Sequence, residues 1–249
     1  MKYTIYNKSK NITYELHIDE IFTLIKENIN DEYYKFINGD KIQINNNIVL
    51  NTQFICHRIN TIEELNEIPK MFGVELDLRD DKNTGNLILS HDPFICGENF
   101  ENYLETYNHN TLILNIKSER VELDCLHLMK KYNISNYLFL DSNLPMIYLL
   151  NNSYNNTNIF CRFSEFEPIE SYYHIKNMIS WIWVDCFTYL PLTYDTYSIF
   201  KNDGKKICIV SPELQKQPEK ISIYRELLIT QTIIPNAICC KLHNIILWI

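Results

Sequence analysis

From residue 53 onward, short apolar runs alternate with longer amphipathic stretches. This alternation predicts strands separated by helices, and continuous runs rich in Ile, Leu, Val and Phe favour parallel strands buried on both faces. Because eight strands with crossovers favour a closed sheet over an open one, we predict an α/β fold, a single (β/α)8 barrel. The strands are expected at Gln53–His57, Gly73–Arg79, Thr111–Lys117, Tyr137–Asp141, Asn158–Phe163, Trp181–Phe187, Lys205–Ser211 and Ala237–Leu242.

The stretches between these runs predict the crossover helices. An additional apolar run, Asn86–Ser90, follows the second strand too closely for a crossover, which takes about a dozen residues. We therefore assign that run to the loop above the second strand. The helices are expected at Thr61–Met71, Ser118–Tyr132, Pro168–Met178, Tyr194–Asn202 and Ile221–Ile229.

Residues 1–50 show a different pattern. The segments Lys2–Tyr6 and Ile12–Ile18 predict a hairpin, and a helix is expected over Asp19–Asn28. Lys41–Leu50 is interrupted by three consecutive Asn residues, which favour a turn, so this segment predicts a second hairpin. We expect residues 1–50 to form an N-terminal extension that packs on the barrel of residues 51–249, without a second domain.

Composition and charge restrict the location and the partners of the protein. The net charge of −8 gives a surface that repels polyanions, which counts against nucleic acid as a partner. Neither a signal peptide nor a transmembrane stretch of about 20 apolar residues is recognisable, so a cytoplasmic location is expected. Most of the eight Cys lie within apolar runs, which favours buried free thiols over a disulfide framework. The sequence leaves the oligomeric state open.

Polar side chains lie at the ends of the first three predicted strands and in the loop above the second. In barrels of this kind the active site is built from the carboxyl ends of the strands, so these side chains are the first candidates for chemistry. They belong to His57, Arg58, Glu75, Asp77, His91, Asn115 and Lys117.

Glu75 and Asp77 are two positions apart on one strand, so their side chains project to the same side. Two neighbouring carboxylates repel each other, and a hard divalent cation bound through oxygen ligands relieves that repulsion, so we expect Mg²⁺ or Ca²⁺ here. Two His residues beside such a cation can exchange protons near neutral pH. Arg58 and Lys117 would supply the positive charge that a phosphodiester needs in this acidic protein.

Charged residues also end three of the later predicted strands: Asp141, Arg162 and Asp185. They are candidates for the same site, although strand ends often carry charge simply because they meet solvent. Trp181 and Trp183 are expected to fill the barrel. Because Trp183 shares a side with Asp185, it is also a candidate for the pocket wall, and we group Arg162 and Trp183 as substrate-binding candidates.

Four segments of the chain, ICHRIN, GVELDLRD, LILSHDPF and LILNIK, resemble in order and spacing the core motifs of the glycerophosphodiester phosphodiesterase family. The resemblance covers residues 54–117 and reaches the rest of the chain only through the strand count and weaker matches such as Val210–Leu214. The ordered set of motifs is specific, whereas any one of them alone would be weak. It implies a TIM barrel of the phospholipase C-like phosphodiesterase kind that hydrolyses phosphodiesters.

The resemblance also implies roles for individual residues. The first His of the family pattern and the His of its His-Asp pair act as acid and base, and these positions match His57 and His91. The Glu-x-Asp pair of the pattern binds the metal, and it matches Glu75 and Asp77. By analogy, a neighbouring glycerol hydroxyl of the substrate attacks phosphorus first and gives a cyclic phosphate.

The phosphate contacts of the family match Arg58 and Lys117, while three other positions depart from its pattern. Asn115 stands where many members carry Glu, so the resemblance makes it a neutral third ligand of the metal. Ile59 stands where Gly usually follows the His-Arg pair. Cys240–Lys241 replaces a common Thr-Asp pair near the last strand.

Two functional hypotheses follow. The leading one is a metal-dependent phosphodiester hydrolase that acts on a glycerophosphodiester or a related small phosphodiester by a two-His acid/base mechanism. The alternative is a non-catalytic, degenerate barrel that keeps the pocket to bind a phosphorylated ligand, and the neutral Asn115 and the altered last strand motivate it.

Overall fold

The computed structural model describes residues 1–249. The first part of the chain forms a four-stranded antiparallel sheet in the order β2-β1-β3-β4, together with two helices. These elements are β1 (Lys2–Asn7), β2 (Ile12–His17), α1 (Ile18–Glu27), β3 (Tyr33–Ile37), β4 (Asp40–Gln43) and α2 (Asn46–Asn51). The first predicted hairpin and the helix after it are confirmed.

The predicted second hairpin over Lys41–Leu50 is wrong. A hairpin lies earlier, between β3 and β4, and it turns at Asn38 and Gly39, which both have positive φ. The side chain of Asn45 accepts a hydrogen bond from the Ile48 N–H and so caps α2. The consecutive Asn residues therefore begin a helix, because a short side-chain acceptor caps a helix as readily as it forms a turn.

From residue 53 the chain alternates strands with helices. The strands are β5 (Gln53–Cys56), β6 (Gly73–Asp80), β7 (Leu87–Leu89), β8 (Glu98–Asn99), β9 (Leu112–Ile116), β10 (Tyr137–Leu140), β11 (Phe160–Phe163), β12 (Trp181–Val184), β13 (Lys206–Val210) and β14 (Ala237–Cys240). The helices are α3 (Ile62–Glu67), α4 (Phe100–Thr106), α5 (Glu122–Lys131), α6 (Leu144–Tyr154), α7 (Ile169–Ile175), α8 (Tyr194–Asn202), α9 (Ile221–Thr230) and α10 (Ile245–Trp248).

Every predicted strand and helix of this region is present. Several are shorter than predicted, and α4, α6 and α10 are additional helices that were not among those expected. Eight parallel strands follow the order β10-β9-β6-β5-β14-β13-β12-β11 in a curled sheet. A parallel bridge between Phe139 and Ile159 links the two ends of this path. The run Asn86–Ser90 contains β7, which pairs antiparallel with the upper end of β6.

Side chains alternate between the two faces of the curled sheet as predicted. Val74, Leu76, Leu114 and Ile116 belong to the large apolar cluster that includes the helices. A second cluster fills the interior enclosed by the sheet, and Trp181 packs against it. Its members are Ile55, Ile113, Leu138, Leu140, Phe160, Trp183, Cys208, Val210, Ala237 and Cys239.

The N-terminal sheet and the curled sheet contact each other through buried side chains. Phe22 of α1 packs edge-on against Phe54 and Phe72, with ring centroids 5.6 and 5.4 Å apart. The buried ammonium of Lys35 on β3 donates hydrogen bonds to the carbonyls of Ile246 at 2.6 Å and Ile249 at 2.5 Å.

All eight cysteines are free, and every one except Cys96 is buried, as predicted. Among the helices, none combines the length and the apolar character that a bilayer crossing requires.

Candidate active site at the carboxyl ends of the strands

β6 is the one strand of the eight that gives no apolar side chain to the interior cluster. Its inward positions are Gly73, Glu75 and Asp77, whereas Val74 and Leu76 pack on the helix side. Glu75 is 0% exposed and Asp77 is 1% exposed. A strand that places two carboxylates where its neighbours place Ile, Leu or Trp loses core packing, so these side chains serve something other than stability.

Glu75 is bound on both of its oxygens. The Arg58 N–H donates to Oε2 at 2.8 Å, and the Asn115 side-chain amide donates to Oε1 at 2.8 Å. His57 Nε2 lies 3.7 Å from Oε2. Burial, and secondarily the Asp77 carboxylate, raises the pKa of Glu75 to about 7, so the surrounding donors do not fully compensate its negative charge.

Asp77 is surrounded by four donors. The Asn60 amide donates to Oδ2 at 3.0 Å and also accepts from the Asp77 N–H at 2.9 Å. The Arg58 Nε lies 3.3 Å from Oδ2, and Lys117 Nζ lies 3.7 Å from Oδ1. The Asn115 amide also approaches Oδ1, at 3.4 Å. The structure therefore brings together six of the seven candidates from the first three strands and their loops, namely His57, Arg58, Glu75, Asp77, Asn115 and Lys117.

Asn60 was missed by the sequence reasoning. It lies just before α3, whose first turn is fixed by a capping box in which Thr61 and Glu64 exchange hydrogen bonds. The box holds the loop after β5 in one conformation and directs Asn60 at Asp77. The capping motif of Thr61 and Glu64 is visible in the sequence and indicates where α3 begins, but it does not indicate that the preceding Asn60 contacts Asp77.

Asn115 determines how well a metal ion fits. Its Nδ2 faces the two carboxylates and donates to both, while its Oδ1 is buried without a hydrogen-bond partner, so a rotation of the amide would turn Oδ1 towards a cation bound there. No group of three or more His, Cys, Asp or Glu residues is arranged to hold a metal ion, and the oxygen donors that this place offers to a cation are the two carboxylates and the amide. Oxygen donors of this kind suit a hard divalent cation, and the uncompensated charge of Glu75 favours one. The residues therefore fit Mg²⁺ or Ca²⁺, with few of the ion's ligands supplied by the protein.

His57 follows β5 and lies beside Glu75. Its ring is largely buried, and Nδ1 has no partner, which leaves Nε2 as the nitrogen that faces the site. Lys241 Nζ donates to the His57 carbonyl at 2.7 Å. Burial, and then the charges of Lys241 and Arg58, lowers the pKa of His57 to about 4, so this ring is neutral at neutral pH.

His91 follows β7 at the level of Asp77, because the N–H of the adjacent Ser90 donates to the Asp77 carbonyl at 3.0 Å. Its side chain is 44% exposed, and Nδ1 hydrogen-bonds Asp92 at 2.8 Å. Arg79 donates to the His91 carbonyl at 3.1 Å. The ring makes no hydrogen bond with either site carboxylate, so His91 borders the site and does not form part of its buried centre.

The other side of the mouth is formed by an ion-pair network. Arg162 binds Asp141 with two nitrogens, at 2.6 and 3.0 Å, and Asp185 with a third at 2.7 Å. Lys117 Nζ lies 3.6 Å from Asp141 and links this network to Asp77. Gln215 donates to Asp185 at 2.9 Å. The carboxylates around Arg162 hold its guanidinium in place, so it contributes little free positive charge to a substrate.

Trp183 lies within the interior of the sheet. Its side chain is 3% exposed and packs edge-on against Phe160, with ring centroids 5.3 Å apart. The indole N–H has no hydrogen-bond partner. The structure thus places Trp183 in the packed layer and not among the solvent-facing groups of the mouth.

Among known proteins, similarity to this chain is found by comparing structures and not by comparing sequences. No family model and no curated protein matches the sequence. A glycerophosphodiester phosphodiesterase from Agrobacterium tumefaciens superposes with a TM-score of 0.55 at 12% identity, over 79% of this chain and 99% of that one. A phosphodiesterase from Oleispira antarctica, solved with the product sn-glycerol-3-phosphate, gives 0.55 at 14% identity over 78% and 94%.

A third solved structure, a glycerophosphoryl diester phosphodiesterase from Parabacteroides distasonis, gives a TM-score of 0.52 at 13% identity and covers 96% of this chain and 90% of its own. The chain thus has the TIM-like α/β fold of these enzymes. The resemblance drawn from the four motifs is confirmed in the fold, over most of the chain and not only over residues 54–117.

Proposed function

We propose that the protein is a metal-dependent phosphodiester hydrolase that acts on a glycerophosphodiester or a related small phosphodiester. The observation that carries the proposal is the composition of β6, which gives its share of the interior to Glu75 and Asp77. Arg58 and Lys117 lie against these carboxylates, and His57 lies 3.7 Å from one of them. Buried carboxylates, adjacent cationic groups and a neutral imidazole together suit phosphodiester cleavage.

Glu75, Asp77 and Asn115 would hold the divalent cation. When bound, a hard cation supplies Lewis acidity and neutralises charge on the phosphoryl oxygens. Arg58, whose side chain is 44% exposed, is free to turn from Asp77 to the substrate phosphate. Lys117 lies between Asp77 and Asp141 and positions the phosphate from the opposite side.

His57 and His91 are the proposed acid–base pair. Neutral His57 accepts at Nε2 the proton of the attacking hydroxyl, which belongs to water or to the substrate glycerol. That oxygen bonds to phosphorus, the P–O bond to the leaving alcohol breaks, and His91 protonates the departing oxygen. In this role His91 donates a hydrogen bond from Nδ1 to the Asp92 carboxylate, which leaves Nε2 to give the proton, as in a catalytic triad.

The architecture that the proposal requires is a closed (β/α)8 barrel with an extension over residues 1–50. The Phe139–Ile159 bridge supports closure, because it joins the strands at the two ends of the path. The contacts of Phe22 and Lys35 with the second part of the chain support an extension that packs on the barrel. A cytoplasmic location belongs to the same proposal.

The test is hydrolysis of a panel of glycerophosphodiesters, because the product sn-glycerol-3-phosphate in the Oleispira enzyme makes this the first substrate class to try. Activity should vanish with a chelator and return with Mg²⁺ or Ca²⁺. Changing His57→Ala or His91→Ala should each lower turnover by about 10²- to 10⁴-fold, with divalent-ion binding nearly unchanged. The exposed His174→Ala is the matched control.

Two outcomes would contradict the proposal in different ways. If either His variant keeps most of its turnover, the acid–base assignment is wrong. If the wild type hydrolyses nothing across the panel but binds glycerol phosphate, the degenerate binding barrel is the better description.

A further inference from the structure

Large apolar side chains are exposed on the loops around the mouth. They belong to four connections that follow the loop strand β7 and the strands β10, β11 and β12. We call this set the mouth rim, and its members are Phe94 at 85% exposure, Ile95 at 55%, Leu144 at 58%, Phe166 at 72% and Tyr189 at 56%. Phe166 is paired with the neighbouring Phe187, with ring centroids 5.8 Å apart.

Single exposed apolar residues are ordinary on a protein surface, but clusters mark interaction sites. The mouth rim is distinguished by its position, since its members follow the carboxyl ends of strands, the end of the sheet at which Asp77 lies. Phe94 also has a φ of 67°, a backbone conformation that glycine adopts easily and a bulky residue rarely does. The chain keeps a strained, exposed Phe where a Gly would relax the loop, which indicates a use for the side chain.

A groove of about 470 Å³ runs beside the loop that carries His91. Phe94, Ile95, Pro93 and Ile88 give it an apolar side, while Arg79 and Lys82 give it cations, and Asp80 and Asp81 also line it. Lys82 Nζ lies 6.0 Å from the centre of the Phe94 ring. Arg79 also holds the His91 carbonyl, so the groove shares a wall with the candidate active site.

The chemistry of the rim selects its partner. A ligand that places hydrocarbon against Phe94 and Ile95 and phosphate beside Arg79 and Lys82 is amphipathic, and a phosphodiester with hydrocarbon attached is a phospholipid. Aromatic and basic side chains of this kind are favoured at the interface between lipid and water. The net charge of −8 disfavours an anionic bilayer, so the fitting surface is zwitterionic.

We propose that the mouth rim docks the protein on a zwitterionic phospholipid surface and that the substrate is a phosphodiester lipid held in that surface. The docking stands on the rim and the groove, whereas the identity of the substrate rests on the proposed function. The groove beside His91 then holds one lipid of the surface, with its phosphate beside Arg79 and Lys82, while the phosphate of the substrate lipid reaches Arg58 and Lys117.

Flotation with phosphatidylcholine vesicles tests the docking. The wild type should float with them, and less with vesicles that contain anionic phosphatidylglycerol. The double change Phe94→Ser and Ile95→Ser should lower the bound fraction by about tenfold or more, since two apolar contacts are lost. The matched control, Tyr154→Ser with Tyr173→Ser near the carboxyl ends of α6 and α7, removes exposed aromatic side chains at the ends of these helices opposite to the mouth and should bind as the wild type does.

A second variant guards against misfolding of the first. The emission of Phe94→Trp should shift to the blue when phosphatidylcholine vesicles are added. A wild type that stays in solution, or a Phe94→Trp emission that the vesicles leave unchanged, would overturn the docking.

Turnover separates the docking from the proposed function. The rim double variant should lose turnover on vesicle phosphatidylcholine but keep it on water-soluble glycerophosphocholine. Hydrolysis of the soluble ester without vesicle binding overturns the docking and leaves the proposed function intact. Vesicle binding without hydrolysis of any phosphodiester does the reverse.

Discussion

At the scale of single residues, Glu75 and His57 form a pair whose pKa values shift in opposite directions. The pKa of Glu75 is raised from 4.5 to about 7, so between these pH values the folded state holds a proton that the unfolded chain has released. The stabilisation that this proton gives the folded state is lost as the pH rises towards 7. His57 is lowered from 6.5 to about 4, so its contribution increases with pH over that interval. In the metal-free protein the two slopes offset each other where these windows overlap.

Removing either partner should expose the slope of the other. Between pH 4.5 and 6.5, the free energy of unfolding of metal-free Glu75→Gln should increase with pH more than that of the wild type. That of His57→Gln should decrease with pH relative to the wild type. Urea unfolding across this range measures both, with His174→Gln as a control, and parallel pH profiles for all four proteins would contradict the two opposed pKa shifts.

Asn115 allows a second prediction at this scale. Asn115→Glu adds a third carboxylate to Glu75 and Asp77, and three buried like charges repel one another unless a cation compensates. The variant should melt at a lower temperature than the wild type in a chelator and should gain more from Mg²⁺ or Ca²⁺.

Thermal unfolding with and without the cation measures the effect of Asn115→Glu. Asn152→Glu on the exposed side of α6 provides the control. Equal cation-dependent shifts for the wild type and Asn115→Glu would show that this position is not a ligand.

The positions of Glu75, Asp77, His57, Arg58 and Lys117 around one mouth could be predicted from the sequence because these residues lie at the ends of apolar runs. The state of Arg162 could not, since its neutralisation depends on Asp141 and Asp185, which adjacent strands bring to it. The role of Asn60 could not be predicted for a related reason. Its contact with Asp77 joins a loop residue to the next strand, and no periodicity encodes such a contact.

At the scale of the elements, β6 packs tightly against its neighbouring strands at Gly73, the inward position before Glu75. A Cβ at Gly73 would lie 2.4 Å from Ile55 Cδ1 and 2.7 Å from the Thr111 carbonyl oxygen. The lowest inward position of β6 therefore has room for hydrogen only. The neighbouring strands fill the space that the strand leaves below Glu75.

Gly73→Ala should destabilise the protein by about 1–3 kcal/mol through overpacking, since the carbonyl oxygen belongs to the backbone and cannot turn away. Gly39→Ala, which meets nothing within 4 Å but has a φ of +90°, isolates the cost of backbone conformation. Urea denaturation compares the two, and a Gly73→Ala that is no less stable than Gly39→Ala would refute the packing argument.

The strands were easier to predict than the helices and hairpins. Continuous apolar runs such as Ile207–Val210 have no competing interpretation in a chain of this length, whereas Asn45 suits a turn and a helix cap equally. Whether an Asn such as Asn45 forms a turn or caps a helix depends on the tertiary structure around the segment that follows it. The N-terminal sheet places α2 next to α1, which the local sequence did not reveal.

At the scale of the whole molecule, Lys35 joins segments that are far apart in the sequence. Its ammonium is buried and donates to carbonyls near the end of α10, while burial lowers its pKa to about 7. Lys35→Met keeps the volume but leaves those carbonyls without donors, and this should destabilise the protein by roughly 1–3 kcal/mol.

Denaturant unfolding of Lys35→Met tests the connection, with the exposed Lys26→Met as the matched control. The destabilisation should be confined to Lys35→Met. Equal stability of the two variants would mean that solvent replaces the lysine at no cost.

The contact between Lys35 and Ile246 can form only after most of the residues between them have been synthesised. Lys35 leaves the ribosome 211 residues before its acceptor on Ile246, which at about 5–20 residues per second is an interval of about 10–40 s. β5 also waits through most of that interval for its neighbour β14, with one edge unpaired and Phe54, Ile55 and Cys56 exposed. The nascent chain therefore carries an unpaired strand and an unshielded apolar surface until β14 has been synthesised, and this is the period in which a chaperone would bind it.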